Sequence, residues 1–243
     1  MSKLILGNIF AFPTTNSWDE AVFQLTPVGI ITVIVLIVAL LALAIVLRSK
    51  NAASVEASGE KPVEPKNKSI AKQLAFSGVA MALGLVTSEF LPTIKMPMGG
   101  SITFFSMLFI VLIGYWYGLK AGLMSALAYG LLQFVIDPIF YSIPQMIVDY
   151  LLAFGALGLS GLFAGKKHGL LLGYITGVIG RYVFAVISGV LFFASYAPEG
   201  TPAIVYSLTY NATYLLPEAI ITLILLAIPP VSKALKRVKI MAQ

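Results

Sequence analysis

Residues 28–47 read VGIITVIVLIVALLALAIVL, twenty residues without a single charged side chain. As a helix rising about 1.5 Å per residue, this segment spans roughly 30 Å, the thickness of a bilayer's hydrocarbon core. It lies too deep in the chain, and lacks the basic leader and small-residue cleavage site, to be an ordinary signal peptide. The reading is a transmembrane span. Composition extends membrane character to the whole chain. Of 243 residues 59% are hydrophobic and 11% charged, whereas a soluble domain carries about 25% charged residues. The chain contains no cysteine and one histidine, which excludes a disulfide framework and cysteine-based zinc or redox sites. The net charge is +6. In so apolar a chain this basic balance reads as membrane topology, with no nucleic acid as partner.

Working outward from that span, residues 1–27 are of mixed character (Pro13, Trp18, Asp19, Glu20) and form an extracytoplasmic segment with no assigned structure. Residues 48–72 carry Lys50, Glu56, Glu60, Lys61, Glu64, Lys66 and Lys68 with two prolines, a solvated cytoplasmic linker. From Gln73 to Ser232 six apolar segments follow closely: Gln73–Phe90, Ser101–Tyr117, Ala121–Ile136, Gln145–Gly165, Gly169–Ser195 and Tyr210–Ser232. Gly, Pro and charged residues punctuate every break, including Tyr196–Thr209. Residues 233–243 form a basic cytoplasmic tail. The expected fold is an all-α membrane protein, a six-helix bundle preceded by one extra transmembrane helix, seven spans in all. With the N-terminus outside and the C-terminus inside, 13 of the 16 basic residues face the cytoplasm, the orientation that the positive-inside rule requires. Three long, basic-poor connections then face outward.

Ionisable groups at membrane depth cost roughly 2.5–3.5 kcal/mol on insertion scales, so each one asks for a function. Asp149, Arg181 and Glu218 qualify. Tyr150, Tyr182, Tyr206, Tyr210, Asn211 and Tyr214 accompany them. Asn211, Tyr214 and Glu218 share one helix face, as do Arg181, Ala185 and Gly189. An aromatic cavity with one carboxylate suits an organic cation. Two blander roles compete: Arg181 pairs with Asp149 or Glu218 to hold the bundle, or Glu218, following Pro217, meets free N–H groups at a helix start or kink. Tyr115, Trp116 and Tyr117 read as an interfacial belt at the inner boundary. Ala71, Ala75, Gly78 and Ala82 recur at three- and four-residue spacing, a pattern that permits close helix approach, either within the bundle or to a partner subunit. Nothing assembles a His-based triad, a HExxH zinc site, a thiol nucleophile or a nucleotide-binding GxxxxGK[ST] loop. The chain is therefore expected not to be an enzyme.

Several ordered stretches carry a resemblance across residues 73–232. They are Met98-Gly-Gly-Ser-Ile-Thr103, Tyr117-Gly-Leu-Lys-Ala-Gly-Leu123 and Gln145-Met-Ile-Val-Asp-Tyr-Leu-Leu-Ala-Phe154, followed by Ser188-Gly-Val-Leu-Phe-Phe193, Ser195-Tyr-Ala-Pro198 and Tyr206-Ser-Leu-Thr-Tyr-Asn211. In their order and spacing they resemble the thiamine-specific substrate-binding (S) component family of energy-coupling factor (ECF) transporters. The resemblance implies a bacterial cytoplasmic-membrane protein that captures thiamine near its outer face. It also implies a transmembrane coupling subunit and two cytoplasmic ATPases as partners, and no cofactor. Family ligand positions fall on Asp149, Tyr150, Gly189, Tyr206 and Asn211, with Arg181 at a basic position and Phe193 at an aromatic one. Gly100, Ser101, Ala185, Tyr196 and Tyr210 are expected at the lid or cavity wall. The family's docking motif matches Gly78 and Ala82. Ala185 stands where the family commonly has histidine, and Gly100 where some members have an aromatic residue. Loss of that histidine removes a stacking face and a hydrogen-bonding nitrogen, worth roughly 1–3 kcal/mol. Two alternatives follow: a self-sufficient transporter of a small organic cation using Asp149 and Glu218, or an S-component for a different vitamin.

Overall fold

Long apolar runs broken at Gly, Pro and charged turns fold as helices, and helices dominate this chain. The computed structural model describes residues 11–15, 21–32, 34–35, 66–91, 94–96 and 100–243. Among the described residues a hairpin of β1 (Ala11–Thr15) and β2 (Ala21–Leu25) comes first, so strands occur within the segment expected to lack a defined structure. Residues 27–32 and 34–35 are helical, and Thr26 Oγ1 accepts from Gly29 N at 3.1 Å as an N-cap. The rest of the expected Val28–Leu47 span, and residues 48–65 of the expected linker, lie outside the described residues.

The bundle runs α1 (Lys66–Leu85, extended by a π-helical turn Val86–Phe90), the short hairpin β3 (Ile94–Lys95) and β4 (Ser101–Ile102), then α2 (Ser106–Tyr117) and α3 (Leu119–Ile136). It continues with α4 (Ile143–Phe163), α5 (Gly169–Phe192), α6 (Ala203–Ala227) and α7 (Pro229–Ala242). Five of these helices are long and apolar enough to cross a membrane: α1 from Ile70 to Phe90, α3, α4, α5 and α6. The molecule is thus a mostly helical membrane protein with five candidate spans among the described residues. Large aliphatic side chains such as Val79, Ile179, Leu191, Ile220 and Ile224 are exposed on its outer surface, where lipid rather than water suits them.

Four boundaries differ from the sequence reading. The linker ends earlier, because α1 is already helical at Lys66. The expected Ser101–Tyr117 span is a strand followed by a helix of only 12 residues, about 18 Å long. The expected connection Tyr196–Thr209 is largely helix, because α6 starts at Ala203 behind Pro202, whose fixed φ suits a helix entry. The hydroxyls of Tyr206, Ser207 and Thr209 give that stretch the composition of a loop. Finally, α6 stops at Ala227, and Pro229–Pro230 starts a new helix, so the tail expected at 233–243 is helical.

The short α2 explains its own composition. Ten of its residues, Ser106–Leu108 and Ile110–Trp116, are buried, and a helix apolar on all sides belongs in a core. Around it pack α1, α3, α4 and α5. Tyr115 and Trp116 therefore face the bundle interior rather than lipid. Glycines set the closest approaches. A Cβ at Gly122 would meet the Gly158 carbonyl at 2.7 Å, and one at Gly130 would collide with the Tyr150 carbonyl oxygen. Gly130→Ala must push α3 from α4, a steric cost of about 1–3 kcal/mol. The expected result is a fall in melting temperature of about 5 °C, read by thermal unfolding in detergent; an unchanged midpoint would contradict the packing. Gly118, between α2 and α3, has φ 86°, a left-handed conformation that glycine adopts without strain.

Candidate functional site

One end of the bundle opens into a cavity of about 140 Å³. Its walls come from the end of α1, the segment 100–106, the end of α3, the start of α4, the end of α5 and the start of α6. Two π-helical turns, Val86–Phe90 and Ile147–Leu152, contribute to it. Such wide turns recur at functional sites. The second brings the adjacent residues Asp149 and Tyr150 to the cavity together.

Asp149 Oδ2 accepts from Gln145 Nε2 at 2.7 Å. Gln145 is fully buried and also donates to the Ile139 carbonyl at 3.1 Å, while its Oε1 accepts from Tyr141 N at 3.1 Å. The amide is thus fixed by the connection between α3 and α4 and in turn orients the carboxylate. Tyr150 OH accepts from Ile139 N at 2.8 Å and donates to the Asp137 carbonyl at 3.1 Å. Its ring packs edge-on against Phe134 and parallel to Phe154. Tyr150 therefore holds the cavity rim as well as lining it.

Arg181 places its guanidinium 4.1 Å from the Phe154 ring centroid, a cation–π contact. Among the described residues it forms no ion pair with Asp149 or Glu218, so the bundle-holding pair considered from sequence is not made. Beyond it Ala185, Ser188 and Gly189 on α5, and Phe193 just past its end, line the wall. Phe193 meets Tyr141 edge-on at 5.1 Å. Tyr196, expected at the cavity wall, is not among the lining residues; its hydroxyl lies 3.2 Å from that of Tyr141.

On α6, Tyr206 and Tyr210 are parallel with centroids 5.9 Å apart, and Tyr214 meets Tyr210 edge-on. Asn211 accepts from Tyr214 OH at 2.6 Å and donates to the Ser207 and Ala185 carbonyls at 2.9 and 3.3 Å. Tyr210 OH accepts from Gly100 N at 3.2 Å. A Cβ at position 100 would lie 2.6 Å from the Tyr214 ring, so glycine is required because α6 already supplies the aromatic surface there. Gly189 likewise leaves room for the Ser207 hydroxyl. Ser101 also lines the cavity.

Glu218 has a different role from the kink expected beside Pro217. It is 2% exposed and accepts from Thr103 Oγ1, from Ser106 Oγ at 3.1 Å and from Met107 N at 2.9 Å. Its carboxylate therefore caps the N-terminus of α2, a different helix, where backbone N–H groups and the helix dipole favour negative charge. Phe105, just before that helix, has φ 63°, so the cap secures a turn that bulky residues seldom adopt. At the mouth, Lys95 Nζ donates to Asp137 Oδ2 at 2.6 Å between exposed side chains. That bond raises the Lys95 pKa above its ordinary value.

The cavity also takes in Ser88, Glu89, Gln133, Asp137 and Gln145, which sequence reasoning did not count as site residues. Buried Gln133 donates to Ser88 Oγ at 2.8 Å and to Tyr129 OH at 2.6 Å, tying α3 to α1. An uncharged amide inside an apolar segment is the available signal, and attention to ionisable groups alone passes over it. Gly78 and Ala82 lie elsewhere, exposed on the outer face of α1. A Cβ at Gly78 would meet nothing within 4 Å, so these small residues do not serve packing within the described bundle.

The family model described as Thiamine transporter protein (Thia_YuaJ) matches residues 74–238, the whole cavity-bearing bundle. The chain is 42% identical over 166 residues to the thiamine transporter ThiT of Bacillus subtilis (strain 168), covering 63% of this chain and 84% of that protein. ThiT of Lacticaseibacillus paracasei is 32% identical over 97 residues, 35% of this chain and 48% of its own length. A solved structure of ThiT from Listeria monocytogenes superposes with a TM-score of 0.51 at 26% identity, covering 68% of this chain and 96% of that one. A transport protein and not an enzyme, the chain belongs to the thiamine transporter protein (Thia_YuaJ) family.

Proposed function

We propose that this chain is the substrate-capture subunit of an ATP-driven uptake system and binds thiamine in the cavity between α1 and α6. The observation that carries the reading is Asp149, a carboxylate oriented by Gln145 at the wall of an aromatic cavity. It offers charge to the thiazolium cation, while Tyr206, Tyr210 and Phe193 offer ring faces and Asn211 a polar edge for the aminopyrimidine. Arg181, Tyr150 and Gly189 complete the wall. The protein works in the bacterial cytoplasmic membrane with seven crossings, counting the five candidate spans, the short core helix α2 and the first helix, its N-terminus and cavity outside and its basic end inside. Lys120, Lys166, Lys167 and the lysines of α7 gathering at the end away from the cavity support this orientation. A transmembrane coupling subunit docks on the exposed small-residue face of α1 around Gly78 and Ala82, and two cytoplasmic ATPases drive release.

The self-sufficient alternative loses one of its two coupling carboxylates, because Glu218 is committed to the α2 cap. Titrating the purified protein with thiamine is expected to quench intrinsic fluorescence at 1:1 stoichiometry. No binding of thiamine below about 10 μM, roughly 7 kcal/mol of binding free energy, would overturn the assignment and favour a different vitamin. Deleting residues 1–50 is expected to leave thiamine affinity within about twofold of the full chain, because the described cavity draws every lining residue from 88 onward. Loss of binding in that truncation would place the first helix in the site.

A further inference from the structure

Helix α7 has the sequence Pro229-Pro-Val-Ser-Lys-Ala-Leu-Lys-Arg-Val-Lys-Ile-Met-Ala242. Leu235 and Val238 pack against the core, and Ala242 is buried. The helix lies across the end of the bundle and does not run away from it. Tyr117 OH donates to the Ala242 carbonyl at 3.0 Å, and Gln243 Nε2 donates to the Trp116 carbonyl at 2.6 Å. Lys239 Nζ donates to the Ala164 carbonyl and stands 3.8 Å from the Tyr115 ring centroid. Burial there lowers its pKa from the ordinary value.

That anchoring leaves Lys233, Lys236 and Arg237 exposed, with Ile240 and Met241 beside them. Lys233 and Arg237, one turn apart, border a shallow recess with Pro230 and Ala234. Lys166 and Lys167 follow Ala164, which Lys239 contacts, by two and three residues. Among the described residues, no acidic side chain lies in α7 or in the adjoining turn 164–168.

The geometry points to a headgroup site: the exposed face of α7 binds anionic phospholipid, with Lys233 and Arg237 on one phosphate and Lys236 beside it. Arg offers phosphate a two-pronged donor and Lys a point charge. Apolar Ile240 and Met241 among these cations suit the boundary between headgroups and acyl chains. Lysine is depleted at protein–protein interfaces, so exposed Lys233 and Lys236 favour lipid over a partner subunit. The inference rests on the chain's place in a membrane and not on which ligand fills the cavity.

The test uses the full-length protein in detergent, titrated with short-chain phosphatidylglycerol or phosphatidylcholine, with bound lipid counted by native mass spectrometry. Wild type is expected to prefer phosphatidylglycerol by tenfold or more. Each neutralised charge is worth about fivefold, so the triple variant K233Q/K236Q/R237Q should abolish that preference. The charge-conserving K233R/K236R should keep it. Thermal unfolding of the lipid-free proteins, expected to coincide, excludes a folding defect as the cause. Equal binding of the two lipids by wild type, or an unchanged preference in the triple variant, overturns the proposal. If the preference persists while coupled uptake is lost, the face docks a protein and the proposal also fails. A protein that shows the lipid preference without binding thiamine would retain this site and lose the proposed function.

Discussion

Asp149→Asn is expected to weaken thiamine binding about a hundredfold while leaving the ligand-free protein as stable as the parent. The substitution keeps the shape and the Gln145 contact but removes the charge. Truncating one partner of a desolvated charge pair costs about 2–5 kcal/mol, and about 2.7 kcal/mol is a hundredfold. Stability is spared for a separate reason. Among the described residues Asp149 has an amide partner but no cation, and a half-buried carboxylate without a counter-charge costs stability. Asparagine therefore removes an unpaired charge from the free protein and affinity from the bound one. Glu89, which also lines the cavity, is the control. It lies near the exposed Lys95–Asp137 pair at the mouth, so Glu89→Gln is expected to change affinity less than about fivefold. Calorimetric titration and thermal unfolding of both variants decide the matter; a D149N affinity within threefold of wild type would remove the carboxylate from the binding role.

Glu218→Ala is expected to have the largest effect on stability. Three donors converge on this carboxylate: Thr103 Oγ1, Ser106 Oγ and Met107 N. Hydrogen bonds to a charged group contribute about 1.5–3 kcal/mol each, and a buried donor left without a partner carries its own desolvation cost. Losing the cap of α2 at its positive dipole end adds to this. A net loss of about 4 kcal/mol corresponds to a fall of roughly 10 °C in melting temperature. Thr103 and Ser106 also line the cavity, so thiamine affinity should fall along with stability. Glu218→Gln, which keeps one acceptor, should lie between the two. A coupling carboxylate predicts the reverse pattern, with transport lost in E218Q and stability intact. An E218A variant that melts within 2 °C of wild type would refute the capping role.

The candidate site was partly legible for a specific reason. Charge at membrane depth is rare and costly, so Asp149, Arg181 and Glu218 stood out against an apolar background. Their partners did not, because a partner is a matter of position. Asp149 and Arg181 looked like a pair by sign alone, yet Arg181 stacks on Phe154 and Asp149 takes its hydrogen bond from Gln145. Glu218 looked like a local helix feature beside Pro217, yet it caps a helix more than a hundred residues earlier in the chain. Gly100 looked like a missing aromatic, yet Tyr210 and Tyr214 fill that space from α6.

Composition and hydropathy alone determined that this is a helical membrane protein, where most of its apolar segments lie, and which few charges need explaining. These properties are set residue by residue through transfer from water to lipid, which depends on side-chain type and run length. Only the tertiary structure decided that α2 is a short core helix, that α6 begins early enough to bring Tyr206 and Ser207 onto a helix, that α7 folds back across the basic end, and which polar groups converge on the cavity. Those outcomes depend on directed hydrogen bonds and ring contacts between segments distant in sequence, and no local pattern encodes such distances.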